Sequence, residues 1–136
     1  MKKIINYLSV FTLVLFLSNC DKSSTESTVD PLVGIWEQTE MTMTMGTTVV
    51  TTVSDDDNNQ TMIFNEDGTF SYTGKSDGET DSGNGTWSTN GNKLTTIEDG
   101  ETTVLDYSIT GDVVTVSLSD TTDGVTVTVE IKFKKQ

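Results

Sequence analysis

From Val125 to Lys134 the chain alternates without interruption, with Val125, Val127, Val129, Ile131 and Phe133 on one side and Thr126, Thr128, Glu130, Lys132 and Lys134 on the other. A period of two is that of a β-strand, whose successive side chains point to opposite faces. Such a segment buries one face and wets the other, as the strands of antiparallel sheets do. Val114, Val116 and Leu118 against Thr115 and Ser117 repeat the pattern, as do Leu105, Tyr107 and Ile109 against Asp106 and Ser108. Helix formers gather nowhere into a useful run, alanine is absent, and threonine and valine, which suit a pleated surface, are abundant.

Turn chemistry punctuates these runs. Asn65-Glu66-Asp67-Gly68, Asn90-Gly91-Asn92, Asp99-Gly100, Gly111-Asp112 and Asp120-Thr121-Thr122-Asp123-Gly124 supply the residues that accept positive φ in tight hairpins. Strands are expected near residues 34–45, 47–54, 60–65, 69–75, 84–89, 92–98, 102–109, 112–119 and 125–134. Consecutive hairpins form a meander, and eight or nine strands hide their edges best by closing into a small up-and-down antiparallel barrel. A two-sheet sandwich is the competing arrangement.

The first residues follow a different logic. Lys2 and Lys3 precede an apolar run, Ile4 to Leu17, in the order of a secretory signal. A membrane-spanning helix needs roughly 20 apolar residues, whereas Asn6, Ser9 and Thr12 break this one. Leu17-Ser18-Asn19-Cys20 then resembles the lipobox of bacterial lipoproteins, with Asn19 where a small residue is usual. The resemblance implies cleavage before Cys20 and its lipidation with a diacylglyceryl group and an N-acyl chain such as palmitate. Cys20 is the sole cysteine, and an unpaired thiol would be a hazard in an oxidising compartment. The expected organisation is therefore a signal peptide over 1–19, the lipidated cysteine with a flexible polar linker over 20–31, closed by the single proline, Pro31, and one domain over 32–136.

Without the leader, six lysines face 21 acidic residues, a net charge of −15. That surface repels nucleic acid and anionic lipid headgroups. Arginine and histidine are absent. Neither the bidentate clamp for phosphates and carboxylates nor the usual general base near neutrality is available, and no enzyme is expected.

Three stretches of the domain resemble the lipocalin-like lipoproteins common in Bacteroidota. Leu32-Val33-Gly34-Ile35-Trp36 is similar to their Gly-x-Trp opening; Met62-Ile63-Phe64-Asn65-Glu66-Asp67-Gly68-Thr69-Phe70 is similar to their central hairpin; Gly85-Thr86-Trp87-Ser88 with Asn92-Lys93-Leu94 is similar to the next one. The resemblance implies a lipocalin-like barrel, with Trp36 packed across one end of it. At about eight strands the interior holds side chains or one small ligand.

Met41, Met43 and Met45 alternate with Thr42 and Thr44, so three pliable thioethers share one face, as core, as pocket lining, or as soft ligands for Cu(I). Trp36 has the opposite parity, so a bulge must intervene if all four point inward. Trp36, Met41, Met43, Met45, Phe64, Phe70 and Trp87 are the expected ligand-binding residues. Asp55-Asp56-Asp57-Asn58-Asn59 with Glu66 has something of a calcium loop, but Gln60 stands where such a loop needs glycine. That segment reads as a solvated loop, as does the acidic stretch with Asp77, Glu79 and Asp81. Glu37 and Glu40 read as surface charge. No metal and no cofactor is expected.

The leading expectation is a lipid-anchored envelope protein, at the outer membrane and facing the periplasm or the surface, that binds a small apolar ligand within its barrel. The alternative is a non-catalytic interaction or structural lipoprotein with a filled barrel and an envelope protein or polysaccharide as partner.

Overall fold

The computed structural model describes residues 29–136. The expected signal peptide, Cys20 and the linker as far as Thr28 lie outside the described residues. Nine strands follow in order: β1 (Gly34–Met45), β2 (Thr48–Val53), β3 (Asn59–Phe64), β4 (Thr69–Ser76), β5 (Glu79–Asn90), β6 (Lys93–Glu98), β7 (Glu101–Thr110), β8 (Val113–Thr122) and β9 (Val125–Lys135). Each pairs antiparallel with its neighbours, and β9 returns to pair with β1 from Trp36 to Met45. The ring β1-β3-β4-β5-β6-β7-β8-β9 is therefore closed, which leaves the barrel itself no free edge.

β2 stands outside that ring and interrupts the expected meander. One edge of β1 serves two partners: Gly34–Glu37 pair with β3, and Glu40–Met45 pair with β2. The change of partner falls at a bulge, because the register against β9 shifts between Gln38 and Glu40. Thr39 is the extra residue, and its carbonyl accepts the Ser54 N–H at 3.0 Å where β2 ends. The bulge brings Trp36 and Gln38 onto the same face as Met41, Met43 and Met45.

Two strands run longer than expected. The acidic stretch after Asp77 is no loop: Glu79 and Asp81 belong to β5, which pairs with β4 from Ser76↔Glu79 onward. Asp77 and Gly78 both have positive φ, 51° and 78°, the backbone of a two-residue type I′ turn that closes a hairpin at its tip. Asp99-Gly100 and Asp123-Gly124 do the same, and the second carries β8 on to Thr122.

The core lies at one end of the barrel. Leu32, Trp36, Phe64, Phe70, Leu94, Val114, Val116 and Phe133 are buried, and among the described residues no polar one is buried with them. Leu32 comes from the segment ahead of β1 and plugs this end at 0 % exposure. The Trp36 indole donates to the Leu32 carbonyl at 2.7 Å, while the Asp30 carboxylate accepts the Leu32 N–H at 2.9 Å and the Thr89 hydroxyl at 2.7 Å. Lys135 sets its ammonium 5.1 Å from the centre of the Trp36 ring and donates to the Pro31 carbonyl. Asp30 and Pro31, expected in the linker, are thus bonded into the barrel.

Candidate binding site

The strand directions sort the turns into two sets. The turns at 65–68, 90–92 and 110–112 surround the plugged end. The β1–β2 hairpin, the loop at 54–58 and the three Asp-Gly turns surround the other, which no segment plugs among the described residues.

The inner face at this open end is apolar on one side. Cross-strand partners share a face, so the register gives rows across β2, β1, β9 and β8: Thr52, Met41, Ile131 and Val116; Val50, Met43, Val129 and Leu118; and Thr48, Met45, Val127 and Asp120, the middle one apolar throughout. Val116 is core, whereas Met43 is 43 % exposed, Met45 52 % and Leu118 47 %. The apolar face thus runs out of the core and continues past the barrel on the projecting ends of these four strands. The opposite face carries hydroxyls, with Thr42 bonded to Thr51, Ser119 to Thr128 and Thr121 to Thr126, together with the exposed Val49 and Val53 of β2.

Facing the methionines across the opening, β4, β5 and β6 present Tyr72, Asp81 and Glu98. The Tyr72 hydroxyl donates to Glu98 Oε1 at 3.3 Å. Desolvation holds the Tyr72 phenol above its ordinary pKa, and the nearby carboxylates, Asp81 first and then Glu98, push the same way by opposing a phenolate. Gly83 makes room for this group, since a Cβ there would meet Tyr72 and Glu98, and Gly85 lies against the Ile97 carbonyl. A cleft of about 260 Å³ opens between the two sides, lined by Gln38, Met41, Gln60, Tyr72, Asp81 and Ile131 among others. That volume is slightly below the usual range of small-molecule pockets, about 300–1,000 Å³.

The residues expected to bind ligand therefore divide. Met41 lines the cleft, and Met43 and Met45 continue its apolar wall outward. Trp36, Phe64 and Phe70 are 1 %, 3 % and 4 % exposed and form the packed floor. Trp87 packs edge-on against Phe64 at 5.2 Å and donates to the Asn65 carbonyl. It lines a different groove, about 300 Å³, outside the plugged end with Val29, Asp30 and Val33. There the Asp30 carboxylate is already engaged by Leu32 and Thr89, so that groove offers no free polar group from this residue. The sequence reading names neither Tyr72 nor Glu98, and it places Asp81 in a solvated acidic loop and Ile131 only on the apolar face of the last strand. Parity contained the signal for two of them: Tyr72 follows Phe70 at a spacing of two, and Glu98 follows Leu94 at a spacing of four.

The other candidates have structural places. Asp55 accepts the N–H groups of Asp57 and Asn58, and these backbone bonds lower its pKa. Glu66 lies beyond the six residues of β3, about 20 Å away along the strand, so the two do not share a loop. Among the described residues no three His, Cys, Asp or Glu side chains gather as a metal site would require. Glu40 pairs with Lys132 at 2.8 Å on the outer face.

A closed eight-stranded antiparallel barrel with one plugged end, one open end and a tryptophan packed against the plug defines a small up-and-down β-barrel as the class. Residues 32–106, more than half of the chain, match the lipocalin-like domain family, and the chain belongs to it. Neither a curated protein nor a solved structure matches the chain.

Proposed function

We propose that this chain is a lipid-anchored bacterial envelope lipoprotein, non-catalytic, that binds a small apolar ligand at the open end of its barrel. The observation that carries the binding half is the apolar wall. Met41, Val127, Val129 and Ile131, half-buried, and Met43 and Met45, exposed, continue one face beyond the core beside a cleft, where a ligand would complete their burial. Methionine side chains suit such a site because they repack around different shapes at little cost. The anchoring half rests on the leader and lipobox-like residues ending at Cys20. The outer membrane is the proposed location.

Binding is tested by native mass spectrometry of protein purified from its own host. A copurified apolar molecule that is lost from the Met43→Asp variant is expected; a bare chain that also fails to take up apolar probes would overturn the reading. Anchoring is tested separately by metabolic labelling with palmitate and by fractionation. Label and membrane association are expected for the native chain and neither for Cys20→Ala. The packed floor supports the second reading, a filled barrel that acts through its surface, and that reading expects Met43→Asp to leave the copurified mass unchanged.

A further inference from the structure

We infer that the ligand of the open end is an apolar chain with a cationic head group, and that Asp81 and Glu98 set this preference. The inference rests on the proposal that this end binds an apolar molecule, and adds the sign of the charge. It starts from the register. Tyr72 pairs with Gly83, so Asp81 opposite Gly74 and Glu79 opposite Ser76 have the inward parity of β5. Glu98 reaches the Tyr72 hydroxyl inside the opening, and Glu101 is its partner on β7. Asp120 shares a row with Val127 and Met45 on the apolar side. The turns above them add Asp77, Asp99 and Asp123.

The described lysines are all committed elsewhere. Lys93 pairs with Asp106, Lys132 with Glu40 and Lys134 with Asp112, all on the outer face, and Lys135 lies over Trp36 at the plugged end. Lys75 touches the rim of the cleft but has outward parity, and its ammonium donates to the Asp56 carbonyl. Arginine and histidine are absent from the sequence. Every charge of inward parity at this end is therefore negative. Among the described residues Lys75 is the one cation at the rim, and the inward-facing carboxylates around the opening outnumber it, so their field over the apolar wall is negative. A carboxylate head would enter against that field, whereas an ammonium head would find Asp81 on the wall of the cleft, with Glu98 behind it on the far side of Tyr72, while its chain lay along Met41 and the methionines beyond.

The test compares dodecylammonium, dodecanol and dodecanoate, equal in chain length, each titrated calorimetrically below its micelle concentration into the purified full-length protein. Dodecylammonium is expected to bind about ten-fold more tightly than dodecanoate, with the alcohol between them, and the gap is expected to narrow as salt screens the field. Asp81→Asn with Glu98→Gln is expected to shrink the amine-to-carboxylate ratio, with dodecanol affinity in the same variant as the reference for the apolar contribution; an unchanged ratio overturns the charge preference. Met43→Asp distinguishes the cleft from adsorption to an acidic surface, since it removes apolar wall and adds a negative charge. Weaker amine binding in that variant supports the inference, and stronger binding overturns it. Dodecanoate binding as tightly as the amine would overturn the charge preference and leave the apolar-ligand proposal standing. If none of the three binds, both fall.

Discussion

Gly85 shows how single positions hold this barrel together. Its missing side chain is a packing requirement, because a Cβ would run into the Ile97 carbonyl oxygen, part of the backbone of β6, and would press on the Phe70 ring. Gly85→Ala is expected to cost about 2–4 kcal/mol, read as a fall in the denaturation midpoint. Gly83→Ala meets only side chains, Tyr72 and Glu98. That change is expected to cost less, and to move the Tyr72 absorbance titration instead. Trp36 combines burial with a hydrogen bond to Leu32, so Trp36→Ala is expected to cost about 3–5 kcal/mol, measured the same way. Asp55 and Asp67 behave differently. Both are exposed, and hydrogen bonds lower their pKa values, from backbone N–H groups at Asp55 and chiefly from Thr69 at Asp67. A depressed folded pKa gives stability that is present above the unfolded value, near 3.8, and lost as pH falls through the folded one. Melting temperature is therefore expected to drop on acidification below about pH 4, with a smaller drop in Asp67→Asn. An equal drop would show that this carboxylate contributes nothing.

The strands were legible wherever one face is buried and alternation survives, which covers most of the nine. β5 was legible only from residue 84, because Glu79-Thr80-Asp81-Ser82-Gly83 has little intrinsic strand preference; its pairing with β4, imposed by the Asp77-Gly78 turn, makes it a strand. The position of β2 outside the ring was not legible, since periodicity reports that a strand exists and not which edge it joins. The bulge was legible as a condition. If Trp36 and the methionines faced inward together, one extra residue had to lie between them, and Thr39 is that residue. Deleting Thr39 gives the element-scale prediction. A one-residue slip exchanges the faces of a strand, so the deletion must turn either Trp36 or Met41, Met43 and Met45 outward. Burial of Trp36 favours keeping it in place. The expected variant is folded but less stable, with Met43 and Met45 on the outer face, the threonines inward, and apolar-probe binding lost. Retained binding would show that the methionine wall is not the site.

At the scale of the whole molecule, the segment ahead of β1 sets which end of the barrel the preceding chain leaves from. Residues 29–33 run onto the plugged end, so the expected tether leaves there, and the 12 residues of β1 set the opening about 40 Å further on. The proposed anchor at Cys20 would therefore attach on the side of the plugged end, opposite the opening. The same geometry gathers much of the negative charge at the open end, in a chain of formal net charge −13. The three ion pairs among the described residues do little to offset it, because their side chains are 33–64 % exposed, and exposed pairs contribute about 0–1 kcal/mol each. Unbalanced repulsion on a compact body destabilises it, and salt relieves the repulsion by shortening the screening length from roughly 30 Å at 0.01 M to about 3 Å at 1 M. Sodium chloride over that range is therefore expected to raise the melting temperature. A relief of about 1 kcal/mol corresponds to roughly 4–8 °C in a domain near 100 residues. Asp81→Asn with Glu98→Gln should start from a higher melting temperature and gain less from salt, because part of the repulsion is already removed. If the double variant gained as much as the native chain, the charges at the opening would not be the ones that strain the fold, and the negative field proposed to select the ligand would have to be weaker than the register implies.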